Sequence, residues 1–199
     1  RTVRSRPRLG RSRTRRGRHA RYGDGVTGWL SPRSRDGSID EIPMPDGVDG
    51  RLWLCGKHHI GPDHQAVLEG VDATTVVCLV QEHELDHRYP AYLAFVRAGG
   101  DDRRKVVWFP IHDLHAPTVE QAQPFVRSLA HHLHDGERVV MHCAAGIGRA
   151  GTMATLVLME LGVERSEAAH IVRSNRPMAG PEGDGQMALV MSWTVEGQA

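Results

Sequence analysis

Between a β-branched run and an apolar helical run, residues 139–152 (VVMHCAAGIGRAGT) hold one cysteine, three glycines and one arginine. That arrangement builds a cradle for a phosphate. Glycines at 146, 148 and 151 let the backbone curl tightly, so that successive N–H groups converge just ahead of a helix N-terminus. An oxyanion held by the backbone of Ala144, Ala145, Gly146, Ile147 and Gly148 is met by Cys143 from one side and Arg149 from another. A thiolate in the same place gains from those N–H groups and the helix dipole, which bring cysteine pKa values from about 8.5 into the ~3.5–7.5 range. Cys143 is therefore the candidate nucleophile.

The chain of 199 residues, 40% of them apolar, suits one domain with tails. Its net charge of +1 hides a segregation, because residues 1–21 carry ten arginines and no acid. Taking those ten from the 25 basic residues leaves 15 against 24 acidic ones, a balance of −9 for the remainder. The Arg-rich segment has too few apolar residues to offset ordering entropy by burial and is expected to be a disordered tail. A solvated tail is preferred over a tether to nucleic acid or an anionic surface, either of which an arginine run can bind through phosphates. No apolar run approaches the roughly 18–20 residues of a membrane span. Three cysteines, an odd number, do not make a disulfide framework, so a reducing cytoplasm is expected. The protein is expected to be a monomer.

Residues 22–50, rich in Gly, Pro, Asp and Ser, read as an irregular lead-in to a domain at 51–199. Strands are expected at 51–55, 74–80, 105–111 and 138–142. The run TTVVCLV at 74–80 has the continuous apolarity of a strand buried on both faces. Helices are expected at 63–69 with Asp63 as N-cap, and at 89–98, 118–135, 150–161, 164–175 and 185–195. Pro124 is a local objection to the third of these. The alternation predicts an α/β domain with a mostly parallel central sheet flanked by helices. In such sheets ligands sit at the carboxyl ends of the strands, where the turn at 143–149 lies.

Phosphate monoesters resist hydrolysis because the dianion repels nucleophiles and the departing alkoxide is a poor leaving group. Arg149 can grip two phosphoryl oxygens while backbone N–H groups bind the developing charge. Cys143 can attack in line to give a phosphocysteine, and the leaving oxygen then needs an acid from another loop.

With His142, Cys143, Gly146, Gly148 and Arg149 in place, the chain resembles the cysteine-dependent protein phosphatases with the HC-five-residues-R signature, and among them the compact dual-specificity type. The likeness runs over roughly residues 51–190. FPIHDLHAPT at 109–118 is similar to the family's acid loop, and SNRPMAGPEGDGQ at 174–186 to its RP loop and following Gln helix. Through CLVQEHEL at 78–85 the chain most resembles the cyclin-dependent-kinase-associated phosphatase group. The resemblance implies a compact dual-specificity phosphatase fold and hydrolysis of phosphotyrosine, with phosphoserine and phosphothreonine as further substrates, in phosphorylated protein. It implies Cys143 as nucleophile, Arg149 as phosphate ligand and Asp113 as acid and later base. His142 would brace the loop, Gln186 would position water, and no cofactor is needed. Ala150 stands where the family usually has a hydroxyl that helps the thiolate leave in the second step. His112 stands where Pro is common.

Arsenate reductases and rhodanese-like sulfurtransferases share the Cys-to-Arg spacing, but the late position of Cys143 and the Asp113 loop disfavour both. A phosphoinositide phosphatase is a closer alternative, although neutral Ala144, Ala145 and Ile147 replace the lysines such loops often carry. A non-catalytic phosphopeptide-binding module is the other, although cysteine, arginine and acid are all present. Cys55 and Cys78 read as core residues, with a Cys78–Cys143 disulfide under oxidation a minor candidate. His131, His132, His134, His112, His115, His58 and His59 do not show zinc-site spacing, and no metal is expected.

Overall fold

β-Branched and aliphatic runs pair side by side because only neighbouring strands can satisfy a backbone buried on both faces. A computed structural model describes residues 38–195. The expected tail at 1–21 and the first part of the lead-in therefore lie outside the described residues. Five strands, β1 (Ile39–Ile42), β2 (Arg51–Gly56), β3 (Thr75–Cys78), β4 (Lys105–Trp108) and β5 (Arg138–Cys143), form one sheet in the order β1-β2-β5-β3-β4. Every pairing is parallel except that of β1 with β2. Residues 75–78 are wholly buried, as expected of a strand between two neighbours.

Among the described residues there are seven helices: α1 (Lys57–Ile60), α2 (His64–Gly70), α3 (Pro90–Arg97), α4 (Val119–His134), α5 (Gly148–Glu160), α6 (Arg165–Asn175) and α7 (Asp184–Ser192). A 3₁₀ turn spans Glu82–Glu84. Their starts are set by local chemistry. Asp63 accepts from the Ala66 N–H at 3.0 Å, Thr118 and Gln121 cap reciprocally, and Glu164 accepts from the Ser166 and Glu167 N–H groups. Pro124 is accommodated inside α4 because it lies on the exposed face, where water can serve the carbonyl left without a donor. Helix α5 is buried along its length up to Met159 and packs against β5, α4, α6 and α7.

Three details depart from the sequence reading. β1 arises within the expected irregular lead-in: its four residues are too few for a period, and only the antiparallel ladder to β2 makes them a strand. The short helix α1 also had no sequence signal. β4 stops at Trp108, short of the expected Ile111, because the pairing slips there: the Phe109 N–H donates to the Cys78 carbonyl and the Ile111 N–H to that of Leu79, both at 3.0 Å, two residues on one strand against one on the other. The register pairs Gly56 with Cys143 and Cys78 with His142, so three strands end together at one edge of the sheet.

Candidate active site

At that edge the chain leaves β5 through Cys143, turns over residues 144–147 and enters α5 at Gly148. Gly146 takes φ +72°, and an added Cβ there would overlap the Cys55 carbonyl, so this turn admits glycine alone. The Gly146 N–H donates to Cys143 Sγ at 3.2 Å. No side chain caps the first turn of α5, whose N–H groups therefore remain for an external anion. Ala144 and Ala145 bring no charge into this cradle.

The carbonyls of the turn face the other way, onto Arg176. That buried guanidinium donates to the Gly146 oxygen at 2.5 Å and the Ala145 oxygen at 2.7 Å. It also reaches the Leu54 carbonyl at 3.2 Å and pairs with Asp40 of β1 at 2.8 Å. Because the N–H of a peptide opposes its C=O, holding the 145 and 146 carbonyls back turns the next two N–H groups toward the anion site. The Lys57 N–H holds the Ala144 carbonyl in the same manner at 3.0 Å.

His142 lies fully buried behind Cys143. Burial drives its pKa down to about 4, so the ring is neutral. Its Nδ1 lies 3.4 Å from the Cys143 carbonyl, which can only accept, so the proton sits on Nδ1. Nε2 must then accept from the Tyr92 hydroxyl at 2.6 Å. Burial raises the Tyr92 pKa well above its ordinary value and keeps that proton in place. The buried ring thus has a definite tautomer.

Arg149 is almost wholly buried, and its two terminal nitrogens face Glu84 Oε1 at 2.7 Å and Oε2 at 3.0 Å. It donates further to the Ile111 carbonyl at 2.8 Å and pairs with Asp113 Oδ1 at 2.9 Å. Burial raises the Glu84 pKa, but hydrogen bonds from Arg149, the Gln81 N–H and Lys57 outweigh it and hold the group near 2. Asp113 stays largely exposed, on a loop where Leu114 takes φ +62° and the His115 ring donates to the Asp113 carbonyl at 2.7 Å.

Cys143, Arg149, His142 and Asp113 are therefore brought together as the sequence reading required. Gln186 is placed differently from expectation. Its oxygen accepts from Thr152 Oγ1 at 3.2 Å and the Glu182 N–H at 2.9 Å, and its nitrogen donates to the His115 carbonyl at 3.2 Å. Both acceptor positions are occupied, so Gln186 ties α5 to the acid loop rather than presenting a carbonyl to water. Cys78 shares the register position of His142, so by strand alternation it projects from the opposite face to Cys143. Burial pushes the Cys78 and Cys55 thiols up to about 12, which leaves them poor thiolates and weakens the disulfide candidate.

Glu84 and Arg176 are functional residues that sequence reasoning missed. Both lie inside segments noted for their likeness, CLVQEHEL and SNRPMAG. The usable signal was a charged residue beside an apolar run or a proline. Among the described residues, no three His, Cys, Asp or Glu side chains are grouped to hold a metal ion, and no helix is long and apolar enough to cross a membrane.

Residues 48–190 match the family model described as PTP-SAK, the Swiss Army Knife protein DSP-PTPase phosphatase domain. The fold is similar to the crystal structure of Tk-PTP in its active form, at 29% identity and TM-score 0.57, covering 74% of this chain and 96% of that one. A mutant form of Tk-PTP aligns at 30% identity and TM-score 0.58, covering 72% and 89%. Kinase-associated phosphatase with its catalytic-site cysteine replaced by serine aligns at 16% identity and TM-score 0.63, over 77% and 91%. A search of curated protein sequences finds no match.

Proposed function

The chain belongs to the dual-specificity-type protein tyrosine phosphatase family, as a cysteine-based phosphatase of the PTP-SAK group, and from that membership we propose that it hydrolyses phosphotyrosine in proteins at the Cys143 loop. Phosphoserine and phosphothreonine are further substrates. One observation carries the assignment: Arg149 brings the cysteine loop and the Asp113 loop to a common guanidinium, with Asp113 Oδ1 2.9 Å from Nη2. The arriving phosphoryl group binds the loop N–H groups and Arg149, taking the position that Asp113 holds on the fork.

Released from Arg149, Asp113 is free to protonate the leaving oxygen. The Cys143 thiolate, steadied by the Gly146 N–H, attacks phosphorus in line. The P–O bond breaks as the S–P bond forms, and Asp113, carrying a proton taken from solvent after it leaves Arg149, gives that proton to the departing phenolate oxygen. Water then hydrolyses the phosphocysteine. A protein substrate is favoured over a phosphoinositide because Ala144, Ala145 and Ile147 supply no charge for an inositol ring. Three buried free thiols suit a reducing compartment, and we place the enzyme in the cytoplasm as a monomer.

The test is a panel of phosphopeptides and phosphoinositides with wild type and Cys143→Ser. Hydrolysis of phosphotyrosine peptides by the wild type, with none by Cys143→Ser and phosphate binding retained, is the expected result. Activity surviving in Cys143→Ser would remove the nucleophile, and turnover of phosphoinositides alone would replace the substrate.

A further inference from the structure

Among the described residues four large apolar side chains stay in water, Leu114, Met178, Met187 and Met191, each between 47% and 66% exposed. All four stand on the acid loop, the RP loop or α7, the segments that border the Cys143 site. Scattered singly they would need no explanation, but gathered on segments that meet they mark a surface. Leu114 directly follows Asp113. Met178 lies two residues before Gly180, whose N–H donates to the Ile147 carbonyl of the phosphate loop at 3.3 Å. Leu114 and Met178 also take φ +62° and +71°, left-handed backbone that is unfavourable for a residue with a side chain and that no burial offsets here.

From Leu114 the apolar surface continues along α7. Gly183 lies against the acid loop, where an added Cβ would sit 3.7 Å from the Leu114 carbonyl oxygen, and the Met187 N–H donates to the Gly183 carbonyl at 2.9 Å. Met187 thus stands one turn beyond that contact. Met191 lies four residues further on, over the same face of the helix, while Gln186, Leu189 and Val190 fill the buried face. Outer positions of a surface helix are normally polar or charged, yet after Asp184 this helix carries no charged residue. Its rise from Gly183 to Met191 is about 12 Å, the reach of roughly four residues of extended chain.

A residue that delivers its phosphoryl group to Cys143 places its leaving oxygen beside Asp113, so the chain carrying it passes next to Leu114. The apolar strip is therefore continuous with the path of the substrate. Charge narrows the occupant further. Residues 109–118 and 178–192 hold no lysine or arginine, while Asp113, Glu182 and Asp184 are exposed there. An anionic lipid surface is repelled by such a border, whereas a protein segment with apolar side chains among basic ones is complementary to it. Methionine, unbranched and polarisable, suits a face that must fit differing apolar shapes.

We propose that Leu114, Met187 and Met191, with Met178 beside the phosphate loop, form a docking strip for the substrate protein. The strip takes apolar side chains, flanked by basic ones, from within a few residues of the phosphotyrosine. This inference rests on the phosphoprotein reading of the Cys143 site and adds to it which phosphotyrosines are selected.

Two synthetic phosphotyrosine peptides of equal length are the probes. One carries leucine at alternate positions on both sides of the phosphotyrosine with arginine between them, and the other has serine in place of each leucine. Wild type should hydrolyse the leucine peptide with kcat/KM about tenfold higher, the difference lying in KM. The double variant Met187→Gln, Met191→Gln, in which glutamine keeps the helix propensity, should hydrolyse both peptides at the serine-peptide value. It should hydrolyse p-nitrophenyl phosphate, too small to reach α7, at the wild-type rate. Leu114→Asn, which tolerates left-handed backbone, should lose part of the preference. Equal kcat/KM for the two peptides in the wild type, or a preference that survives in the double variant, would overturn the docking strip while leaving phosphotyrosine hydrolysis in place. Turnover of a soluble phosphoinositide but of neither peptide would overturn the substrate reading and the strip with it. Wild-type dimers that dissociate in the double variant would assign the face to a second copy, and phosphatidylserine vesicles that bind wild type alone would assign it to a membrane; either result overturns the proposal.

Discussion

Glu84 holds Arg149 through two parallel hydrogen bonds, 2.7 Å from Nη1 to Oε1 and 3.0 Å from Nη2 to Oε2, across 65 residues of sequence. A flexible arginine becomes a fixed fork before any substrate arrives. The fork geometry needs both carboxylate oxygens. Glu84→Gln keeps the shape but replaces one acceptor by a donor facing the guanidinium. Misplacement of a catalytic group by about 1 Å costs ~10²-fold, so kcat/KM should fall about a hundredfold. Steady-state kinetics with inorganic phosphate as competitive inhibitor will check it: the inhibition constant should rise as well, since Arg149 binds ground state and transition state alike.

Asp113 occupies the part of the Arg149 fork on which the proposed mechanism seats the phosphoryl group. The Asp113 side chain is 65% exposed, and ion pairs of that kind are worth about 0.2–1 kcal/mol. Asp113→Asn should therefore tighten binding of inorganic phosphate or tungstate up to about fivefold. The same change should lower kcat, most for substrates with poor leaving groups. Calorimetric titration read beside leaving-group kinetics separates the two effects. Weaker oxyanion binding in Asp113→Asn would mean that the carboxylate helps to hold the anion rather than yielding to it.

Residues that act within one loop could be read from the sequence, and residues that act through space could not. The spacing of Cys143, Gly146, Gly148 and Arg149 is a property of one turn. The run at 74–80 is long and apolar enough to announce a buried strand. Asp113 was reached through likeness of its loop. Glu84, Arg176 and Asp40 instead meet the loop across 65, 31 and 136 residues, as in Arg149–Glu84, Arg176–Ala145 and Arg176–Asp40. No local period marks such pairings. The contacts of Gln186 with Thr152 and His115 join different elements, so no local pattern announces them. Ile39–Ile42 escaped notice because a four-residue edge strand has too little pattern to stand out from a loop.

Arg176 joins the sheet to the phosphate loop, and breaking a buried ion pair costs about 3–5 kcal/mol. Arg176→Ala should lose about that much in urea denaturation, because Asp40 and the 145 and 146 carbonyls are left without their shared donor. Arg176→Lys restores the charge but cannot reach all of these acceptors, so it should recover stability only in part. Full recovery with lysine would mean that charge alone, not the spread of the guanidinium, holds the turn.

His142 gives stability a pH dependence whose sign follows from its depressed pKa. Above the unfolded value of about 6.5 the ring is neutral in both states. Between there and about 4 the unfolded chain binds a proton that the native state refuses, so stability is lost as pH falls through that window. The full difference corresponds to about 3 kcal/mol. Glu84, held near 2, continues the loss below its ordinary range, as pH falls toward 2. Urea denaturation of wild type and His142→Asn from pH 8 to 4 should show the variant with a flatter profile between pH 6.5 and 4. Parallel profiles would mean that the buried ring is not the group responsible.

Ala150 is fully buried directly after Arg149, where a hydroxyl would lie next to the loop that receives the departing thiolate. A serine hydroxyl at that position would supply one further hydrogen bond to sulfur in the second half-reaction. A net contribution of about 1 kcal/mol corresponds to roughly a fivefold rate difference. Ala150→Ser should therefore raise kcat about fivefold where breakdown of the phosphocysteine limits turnover, while the rate of the nitrophenolate burst stays the same. Unchanged kcat in Ala150→Ser alongside an accumulating phosphocysteine would mean that the Gly146 N–H already meets the thiolate's need, and that the slow second step has its cause elsewhere.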